Sequence, residues 1–419
     1  MNESAEFRPP ARNPAFVALC QFLLPAYAKL NKLHFYFHES NSKPSTQLKP
    51  KRTLILLNHA DRHDPAVVVA LTRYLRQSIF IVVAREVFDW SNGMLGWVMQ
   101  KFGGYSVNRG LADFPSISMT KAILMKKANK LVVFPEAEIT GDDDSVHDIS
   151  ATLAHVVLEA QEELSAAEPD ESIFFMPVGV SYQLVDRVSS TLDKALTRVE
   201  EALNQSNNVQ LERANHDLSD RLKLAVDVVL AELARRNSCT IPSRKSQAEE
   251  VEQLARSICE SIALRISAKL NPAHTSEQAM YSLRNDVIAL NSASQAAQAS
   301  EASPADAALL QKELLRELDS VERLLILHRI LLLPPSAMHS CRIVDFLEAE
   351  VFGKMTVKGH QKISIYLGDL IPVASYLPHY LEHKHEAIRQ LNKAIHDELQ
   401  AALDHSHLHS SSPSSSRSS

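Results

Sequence analysis

The sequence predicts an α/β sandwich, in which helices flank a mostly parallel sheet, together with a largely helical inserted region. Two observations lead to this prediction. Between residues 54 and 180, short apolar runs alternate with amphipathic segments, which is typical of strands that alternate with helices. From residue 186 onward the chain becomes rich in Ala, Leu, Glu, Arg and Lys, and its apolar residues recur at helical spacing.

The chain begins with a segment that contains one amphipathic helix, predicted over residues 14–33, with an apolar body and a basic end at Lys29 and Lys32. Residues 39–52 are polar and contain proline, which predicts a loop. The alternating region then predicts strands at 54–57, 79–84, 105–107, 131–134 and 173–180, and helices at 65–75, 94–101, 116–128 and 150–164.

The helical region has predicted breaks near Pro242, near Pro272 and across residues 292–304. A strand at 362–367 and a helix at 385–403 follow it. The predicted organisation is an N-terminal segment (1–38), the first part of the α/β domain (39–185), the helical insertion (186–354), a strand and helix that return to the domain (355–403), and a disordered Ser-rich tail (404–419).

Composition excludes several classes of protein. The formal net charge of -6 gives no reason to expect nucleic-acid binding, and the four cysteines show no paired metal pattern, so we expect reduced thiols in a cytosolic protein. The longest apolar stretch, residues 15–28, is interrupted by Gln21 and Pro25. It is shorter than the roughly 20 residues that a membrane span needs, and the charged start does not read as a secretory signal.

The stretch from Asn58 to Pro65, NHADRHDP, is the most informative for chemistry because it follows a strand and precedes a helix. Four residues separate His59 from Asp64. A carboxylate near an imidazole fixes the tautomer of the ring and stabilises its charged form, which makes His59 a candidate general base. The alternative interpretation is a polar loop in which Asp64 caps the helix.

This stretch resembles the NHxxxxD signature of the glycerol-phosphate and lysophospholipid acyltransferase family. Three further motifs are similar to those of the family and occur in its order: Gly103-Gly104-Tyr105-Ser106-Val107-Asn108-Arg109, Phe134-Pro135-Glu136, and Phe175-Met176-Pro177-Val178. The resemblance covers residues 50–182. It resumes at residues 365–372, which look like a late strand of the family.

The resemblance implies an acyltransferase-type fold and an O-acyltransferase similar to those that act on 1-acylglycerol-3-phosphate. His59 would take the proton of an acceptor hydroxyl, and Asp64 would orient His59. The oxygen would then attack the carbonyl of an acyl thioester, without an acyl-enzyme intermediate. Arg109 would bind the acceptor phosphate, and Glu136 would help to shape the acceptor site.

The resemblance also places Gly103, Pro135 and Arg85 in the substrate-binding set, with Arg85 at a position where the family usually has lysine. The expected partners are a lysophosphatidate-like glycerolipid and a thioester donor, acyl-CoA or an acyl carrier protein, with no cofactor and no metal. The helical insertion could be a lid, an oligomerisation element or a docking surface for the carrier, and a plain bundle is the default. We expect a cytoplasmic protein, peripheral on the inner face of a membrane.

The third motif departs from the family pattern FPEGTR. Ala137 stands where the family has glycine, so a backbone conformation with positive φ becomes costly there. Ile139 stands where the family has arginine, and Glu138 adds a negative charge. A doubly charged acceptor is therefore less favoured, unless another base such as Arg85 or Arg62 compensates.

Two rival interpretations stay open at this stage. The string His59, Asp61, His63, Asp64 invites a metal site, but it does not match the HxHxDH pattern of metal hydrolases. A catalytically weak lipid-binding or scaffold protein would explain the altered third motif. The intact His59–Asp64 pair argues against a scaffold, which has no need of both residues.

Overall fold

The computed structural model describes residues 7–91, 93–110, 112–207, 217–240, 246–296 and 304–410. The helices are α1 (Pro14–Asn31), α2 (Pro44–Gln47), α3 (Asp64–Leu75), α4 (Met94–Phe102), α5 (Phe114–Met125), α6 (Ala151–Ala167), α7 (Ser189–Asn207), α8 (Leu218–Arg236), α9 (Gln247–Arg265), α10 (Ser276–Ala296), α11 (Pro304–Leu332), α12 (Ala337–Phe352), α13 (Leu377–Glu382) and α14 (Lys384–Ser410). The strands are β1 (Leu33–Glu39), β2 (Arg52–Leu57), β3 (Phe80–Ala84), β4 (Gly104–Val107), β5 (Lys130–Val133), β6 (Ile173–Leu184), β7 (Gln361–Leu367) and β8 (Ile371–Pro372).

The chain divides into two compact units, Glu6–Val185 with His360–Ser419, and Asp186–Gly359. The first unit contains one sheet with the strand order β1-β7-β6-β2-β5-β3-β4, and β8 pairs with β6. The pairs from β6 through β2, β5 and β3 to β4 are parallel, whereas β7 runs antiparallel to β6 and parallel to β1. The predicted fold class, a mostly parallel sheet with flanking helices, is confirmed.

Helices cover both faces of this sheet. On one face, leucines, valines and a phenylalanine of β2, β5 and β6 pack against α5, α6 and α14, with Leu54, Leu131, Phe175, Leu158 and Leu391 among the buried residues. On the other face, Leu24 of α1 and two alanines of α3 enclose Phe35 and Phe37 of β1. All six residues of β2 are buried, so the strand that leads to His59 lies in the middle of the core.

Helix α14 lies very close to β6 at Gly179. A Cβ atom at this position would lie 2.2 Å from the main-chain carbon and oxygen of Ala402. Only glycine lets the two backbones approach this closely, because any side chain would overlap the helix. The contact holds α14 over the strand that supplies Tyr182 further along.

The second unit is a set of helices, α7 to α12. Its apolar residues line the inner faces at helical spacing, as Leu192, Leu196 and Val199 do in α7. Its buried Lys358 is paired: Nζ lies 2.6 Å from Glu348 and 2.7 Å from Asp345. Paired burial of this kind avoids the cost of an isolated charge in the interior.

Strand β1 was not predicted from the sequence. Residues 33–38 were assigned to the N-terminal segment. β1 pairs along its whole length with β7, which follows more than 300 residues later. Because the only neighbour of this edge strand is so distant in the chain, local patterning gave no sign of it. The segment predicted as a loop also contains the short helix α2.

The tail was predicted as disordered from residue 404, and this is wrong for residues 404–410, which continue α14 to Ser410. The histidines of this turn explain the extension. His405 stacks on Tyr366, and His409 stacks on His38 with ring centroids 4.1 Å apart. Residues 411–419 lie outside the described residues.

The predicted helix breaks fare differently. Pro272 lies between α9 and α10, as expected. The break near Pro242 lies outside the described residues. The Ala- and Ser-rich stretch from residue 292 is helical as far as Ala296, because alanine favours helix more than the neighbouring serines disfavour it. The next described residue is Pro304.

We predict that Gly179→Ala destabilises the sheet unit by about 1–3 kcal/mol, since the added methyl group meets the backbone of α14. Both tryptophans, Trp90 and Trp97, lie in this unit, so urea denaturation followed by tryptophan fluorescence measures it selectively. Gln183→Ala, at an exposed position of the same strand, is the matched control and should change stability by less than about 0.5 kcal/mol. Equal stability of the two variants would contradict the close packing.

Candidate active site

The sequence motifs meet at one edge of the sheet. Strands β2, β5, β3 and β4 are parallel neighbours, so their carboxyl ends lie on the same side. The segments that follow them are residues 58–63 after β2, 134–150 after β5, 85–91 after β3 and 108–113 after β4. Open α/β sheets bind their ligands at this edge. The geometry there is built from the end of β2 outward.

Asn58 fixes the point where β2 ends. Its side-chain amide donates to the carbonyl oxygen of Val180 at 2.9 Å, and its amide oxygen accepts from the Val180 N–H at 2.8 Å. The side chain thereby imitates a strand and continues the ladder between β2 and β6 for one more residue. His59 follows at a fixed position on a rigid support.

His59 and Asp64 form the pair that the sequence predicts. Nδ1 of His59 lies 2.7 Å from Oδ2 of Asp64. The carboxylate is 1% exposed, whereas the imidazole is 18% exposed and stacks on Phe134. Because the carboxylate only accepts hydrogen bonds, Nδ1 carries the proton and Nε2 is the nitrogen able to take another.

Asp64 has two further donors. The backbone N–H of Asp61 donates to Oδ2 at 3.0 Å, and the hydroxyl of Tyr182 donates to Oδ1. Burial raises the pKa of Tyr182 well above its ordinary value, and the negative charge of Asp64 adds to this. Tyr182 therefore stays protonated and keeps donating. These contacts hold the carboxylate in one orientation beneath the imidazole.

Glu136 clamps the same loop from the other side. Its Oε2 accepts from the backbone N–H of His59 at 2.6 Å, and its Oε1 accepts from the backbone N–H of His147 at 2.8 Å. The side chain is buried, and burial raises its pKa, while the two backbone N–H donors act in the opposite direction. Glu136 thus positions the backbone of His59; its predicted role in shaping the acceptor site stays a prediction.

The loop after Glu136 wraps around His59. The backbone N–H of Thr140 donates to the carbonyl oxygen of His59 at 2.7 Å, and the Thr140 hydroxyl reaches the same oxygen at 3.1 Å. Helix α14 supports the loop further along, because Gln400 accepts from the Val146 N–H at 2.8 Å. His407 of the same helix bonds the carbonyl oxygen of Asp143.

Arg109, the predicted phosphate ligand, joins two of the segments at this edge. Its Nη2 forms an ion pair with Glu86, which is itself buried, and its Nη1 donates to the carbonyl oxygen of Ala137 at 3.1 Å. Arg85 is buried and pairs with Asp89 at 2.8 Å. Both arginines therefore already bind groups of the protein, and a bound phosphate would share the guanidinium groups with them.

Ala137 adopts the left-handed conformation that its family position implies, with φ +65°. Its N–H donates to the carbonyl oxygen of Phe134, which closes a tight turn directly after Glu136. A side chain in this region costs roughly 1–2 kcal/mol. The turn has this conformation with alanine at position 137, although only glycine would adopt it without strain.

Two other predicted residues have backbone roles. Gly103 ends α4 with φ +118°, and a Cβ there would lie 2.7 Å from the carbonyl oxygen of Ile79. Pro135 is buried at the start of the turn. Sequence reasoning missed Tyr182, Glu86, Thr140 and His147, since none of them belongs to a motif and each reaches the site only through the fold.

The stretch from His59 to Asp64 contains a second histidine, His63, whose contacts differ from those of His59. His63 is buried, and its Nδ1 lies 3.2 Å from the hydroxyl of Tyr27 in α1. Asp61 Oδ1 accepts from the His63 N–H at 2.9 Å. Within the described ranges, no group of three or more His, Cys, Asp or Glu side chains is arranged to hold a metal ion. The four cysteines are free.

The arrangement can perform base catalysis on a bound hydroxyl. It provides an oriented imidazole and a buried carboxylate to stabilise its charged form, and two paired arginines lie in other segments of the same sheet edge. No helix in the described part of the chain is both long and apolar enough to cross a membrane.

Residues 36–181 match the model of the Acyltransferase family. All four motifs that carry the resemblance lie within this range, so the chain contains an acyltransferase domain, and the resemblance is confirmed. No curated protein matches the chain.

We predict that Ala137→Gly leaves the sheet unit as stable as before or up to about 1 kcal/mol more stable. Glycine removes the strain of the left-handed conformation but gains freedom in the unfolded chain, and these effects oppose each other. Ala122→Gly, at an exposed position inside α5, is the control and should cost about 0.5–1 kcal/mol. Similar losses in both variants, measured by urea denaturation, would show that the turn holds no strain.

Proposed function

We propose that the acyltransferase domain of residues 36–181 moves a fatty acyl group from a thioester to the hydroxyl of a lysophosphatidate-like glycerolipid. The donor is acyl-CoA or an acyl carrier protein. The observation that supports this most strongly is the His59–Asp64 pair, which lies in the family-matched range and is held by Glu136 and by Tyr182, one residue beyond that range. A scaffold has no use for a buried carboxylate that is aligned to one imidazole.

The chemistry follows from the orientation of the ring. Nε2 of His59 takes the proton of the acceptor hydroxyl as its oxygen attacks the thioester carbonyl carbon. The carbon–sulfur bond then breaks, and the thiolate leaves with the electron pair and receives the proton. Asp64 stabilises the imidazolium during this sequence, and the protein needs no metal or cofactor for it.

The acceptor phosphate would approach Arg109. A guanidinium has five N–H donors in a planar fork, so it can hold Glu86, the Ala137 carbonyl and a phosphate oxygen together. Sharing with Glu86 weakens the attraction for a dianion. Ile139 contributes no charge, and Arg85 is occupied with Asp89. We therefore propose that a phosphate monoester is bound through several partial contacts at this edge.

We also propose that the protein rests on a membrane surface through α1. This helix buries Val17, Leu24 and Ala28 against its own unit. Its other face is exposed and apolar, with Leu19, Phe22, Leu23, Tyr27 and Leu30 among its members. One face of α1 therefore covers the protein's own unit, and the proposal assigns the exposed apolar face to lipid.

The exposed apolar surface extends from α1 to α4. Phe16 of α1 meets Trp97 of α4 in an edge-to-face contact with centroids 5.3 Å apart. Trp97, Met94 and Trp90 are each about half exposed or more. Lys29 is the only charged residue within α1, and it is suited to anionic head groups.

The first experiment removes the base. His59→Ala should lower turnover by about 10²–10⁴-fold, which is the usual contribution of a general base. Tyr182→Phe should lower it less, because Asp64 keeps two of its donors. Free thiol should appear only when acyl-CoA and a lysolipid are both supplied. His385→Ala, at an exposed position near the start of α14, is the control. Near-normal turnover by His59→Ala would exclude the mechanism.

The second experiment tests the membrane surface. Phe22→Ser with Leu30→Ser should reduce co-sedimentation with vesicles of phosphatidylglycerol and phosphatidylethanolamine by about tenfold or more, because one phenylalanine and one leucine side chain leave the interface. The control is Leu264→Ser with Leu332→Ser, which alters two equally exposed leucines of the helical unit. If both double variants bind like the wild type, α1 is not the contact with lipid.

A further inference from the structure

Side-chain hydrogen bonds join α1 to α3 near both ends of α3. In the last turn of α3, Oγ1 of Thr72 accepts from Nε2 of Gln21 at 3.1 Å. At the other end, the hydroxyl of Tyr27 lies 3.2 Å from Nδ1 of His63, and the two rings meet edge to face. His63 is the last residue of the loop 58–63 that carries His59, which we call the His59 loop. The contact of Tyr27 therefore connects α1 to this loop.

His63 occupies the position immediately before α3. A side chain at this position commonly bonds a backbone N–H of the helix that follows, but the side chain of His63 makes no such bond. It is buried, and its Nδ1 meets the hydroxyl of Tyr27 instead. The carbonyl oxygen of His63 accepts the N–H groups of Ala66 at 2.9 Å and Val67 at 3.2 Å, which belong to the first turn of α3. His63 thus links α1 to the start of α3.

Hydrogen bonds lead from His63 to the candidate base. The backbone N–H of His63 donates to Oδ1 of Asp61 at 2.9 Å, and the backbone N–H of Asp61 donates to Oδ2 of Asp64 at 3.0 Å. The same Oδ2 lies 2.7 Å from Nδ1 of His59. The Asp64 N–H also donates to the carbonyl oxygen of Asp61 at 3.1 Å. A displacement of His63 would therefore act, through Asp61, on the carboxylate that orients the imidazole of His59.

Tyr27 also belongs to the apolar face of α1 that the proposed function assigns to lipid. It follows Leu23 by four residues and precedes Leu30 by three, so the three side chains lie on one side of the helix. The side chain is 43% exposed, although its hydroxyl contacts a buried histidine. Burial raises the pKa of Tyr27, so the hydroxyl stays protonated at neutral pH. One residue thus contacts the His59 loop and contributes to the exposed face of α1.

We propose that Tyr27 is a positioning residue that couples the contact of α1 with lipid to the order of the His59 loop. This rests on the proposed acyl transfer and on the proposed lipid contact of α1. When Leu23 and Leu30 enter the interface, this part of α1 is restrained, and the hydroxyl of Tyr27 is held against His63. The start of α3 and the loop before it then open less often. The base is ordered most fully where the lipid acceptor is present.

Hydrogen exchange of the backbone amides in residues 60–67 tests the coupling independently of catalysis. Vesicles of phosphatidylglycerol and phosphatidylethanolamine should slow this exchange about threefold to tenfold in the wild type, which is the effect of one neutral hydrogen bond on local opening. Tyr27→Phe removes the hydroxyl and keeps the apolar ring, so it should co-sediment with the same vesicles and show little of this slowing. Equal slowing in both proteins, or none in the wild type, would overturn the proposal.

Gln21→Ala is the matched control, because it also removes a hydrogen bond between α1 and α3, at the end of α3 opposite the His59 loop. Thr72 keeps its bond to the carbonyl oxygen of Val69 at 2.7 Å, so its buried hydroxyl is not left unpaired. This variant should show the same slowing as the wild type. Loss of the slowing in both variants would assign it to the general docking of α1 and would overturn a specific role of Tyr27.

Turnover separates positioning from lipid binding. With lysophosphatidate in vesicles, Tyr27→Phe should lower kcat about threefold to tenfold at unchanged KM, whereas a monomeric short-chain acceptor should reveal little difference. Tyr27→Phe combined with His63→Phe should lose no more than His63→Phe alone, since both remove the same bond. Additive losses would overturn the proposal. A wild type that transfers no acyl group would refute the proposed function, while the exchange measurement would still decide the coupling.

Discussion

The carboxylate of Glu136 is the point on which the site depends. It is buried among loops that follow two different strands, and it binds the backbone of His59 on one side and that of His147 on the other. Hydrogen bonds from amides to a charged acceptor contribute about 1.5–3 kcal/mol each, and a buried carboxylate without them is costly. Glu136 and its two amides therefore require each other. Loss of any one would leave an unsatisfied group in the interior, and loss of the Glu136 carboxylate would remove one of the contacts that hold the backbone of His59.

The loops around His59 also depend on the part of the chain that returns to the sheet after the helical unit. β7 inserts between β1 and β6, and α14 covers β6 at Gly179. The same helix then holds the loop around Val146 and Asp143 by hydrogen bonds. The family match ends at residue 181, yet Gln400 and His407, which hold the loop after its third motif, come from beyond residue 395. The sheet that carries the acyltransferase domain is thus completed by chain segments that lie outside the matched range.

Sequence reasoning reached the parts of the site that local pattern can encode. The motifs were recognised from local residues, and the His59–Asp64 contact was predicted from the spacing of the two residues. That the motifs meet follows from the parallel pairing of β2, β5, β3 and β4, which places their carboxyl ends together. Glu86 and Tyr182 could not be found in this way. A glutamate after a strand and a tyrosine inside one are ordinary residues until the register of the sheet brings them to Arg109 and Asp64. The edge strand β1 was missed for the same reason, because its partner is remote in the chain.

The charge balance of the site shows what the altered third motif requires. The buried carboxylates of this edge are each held by backbone N–H groups or by a paired cation; among them are Asp64, Glu86, Glu136, Asp142 and Asp143. Without an arginine at position 139, the edge of the sheet has no added positive charge from this turn, while Ala137 keeps the turn in its strained conformation. The turn thus has the backbone geometry that the family motif implies, but it lacks the positive charge of that motif at position 139. A turn kept at an energetic cost indicates that its shape is needed, because it places Glu136 beneath His59 and the Ala137 carbonyl against Arg109. Under the proposed function, the charge of this turn would depend on the acceptor, whereas its shape is set by the contacts that hold the backbone of His59.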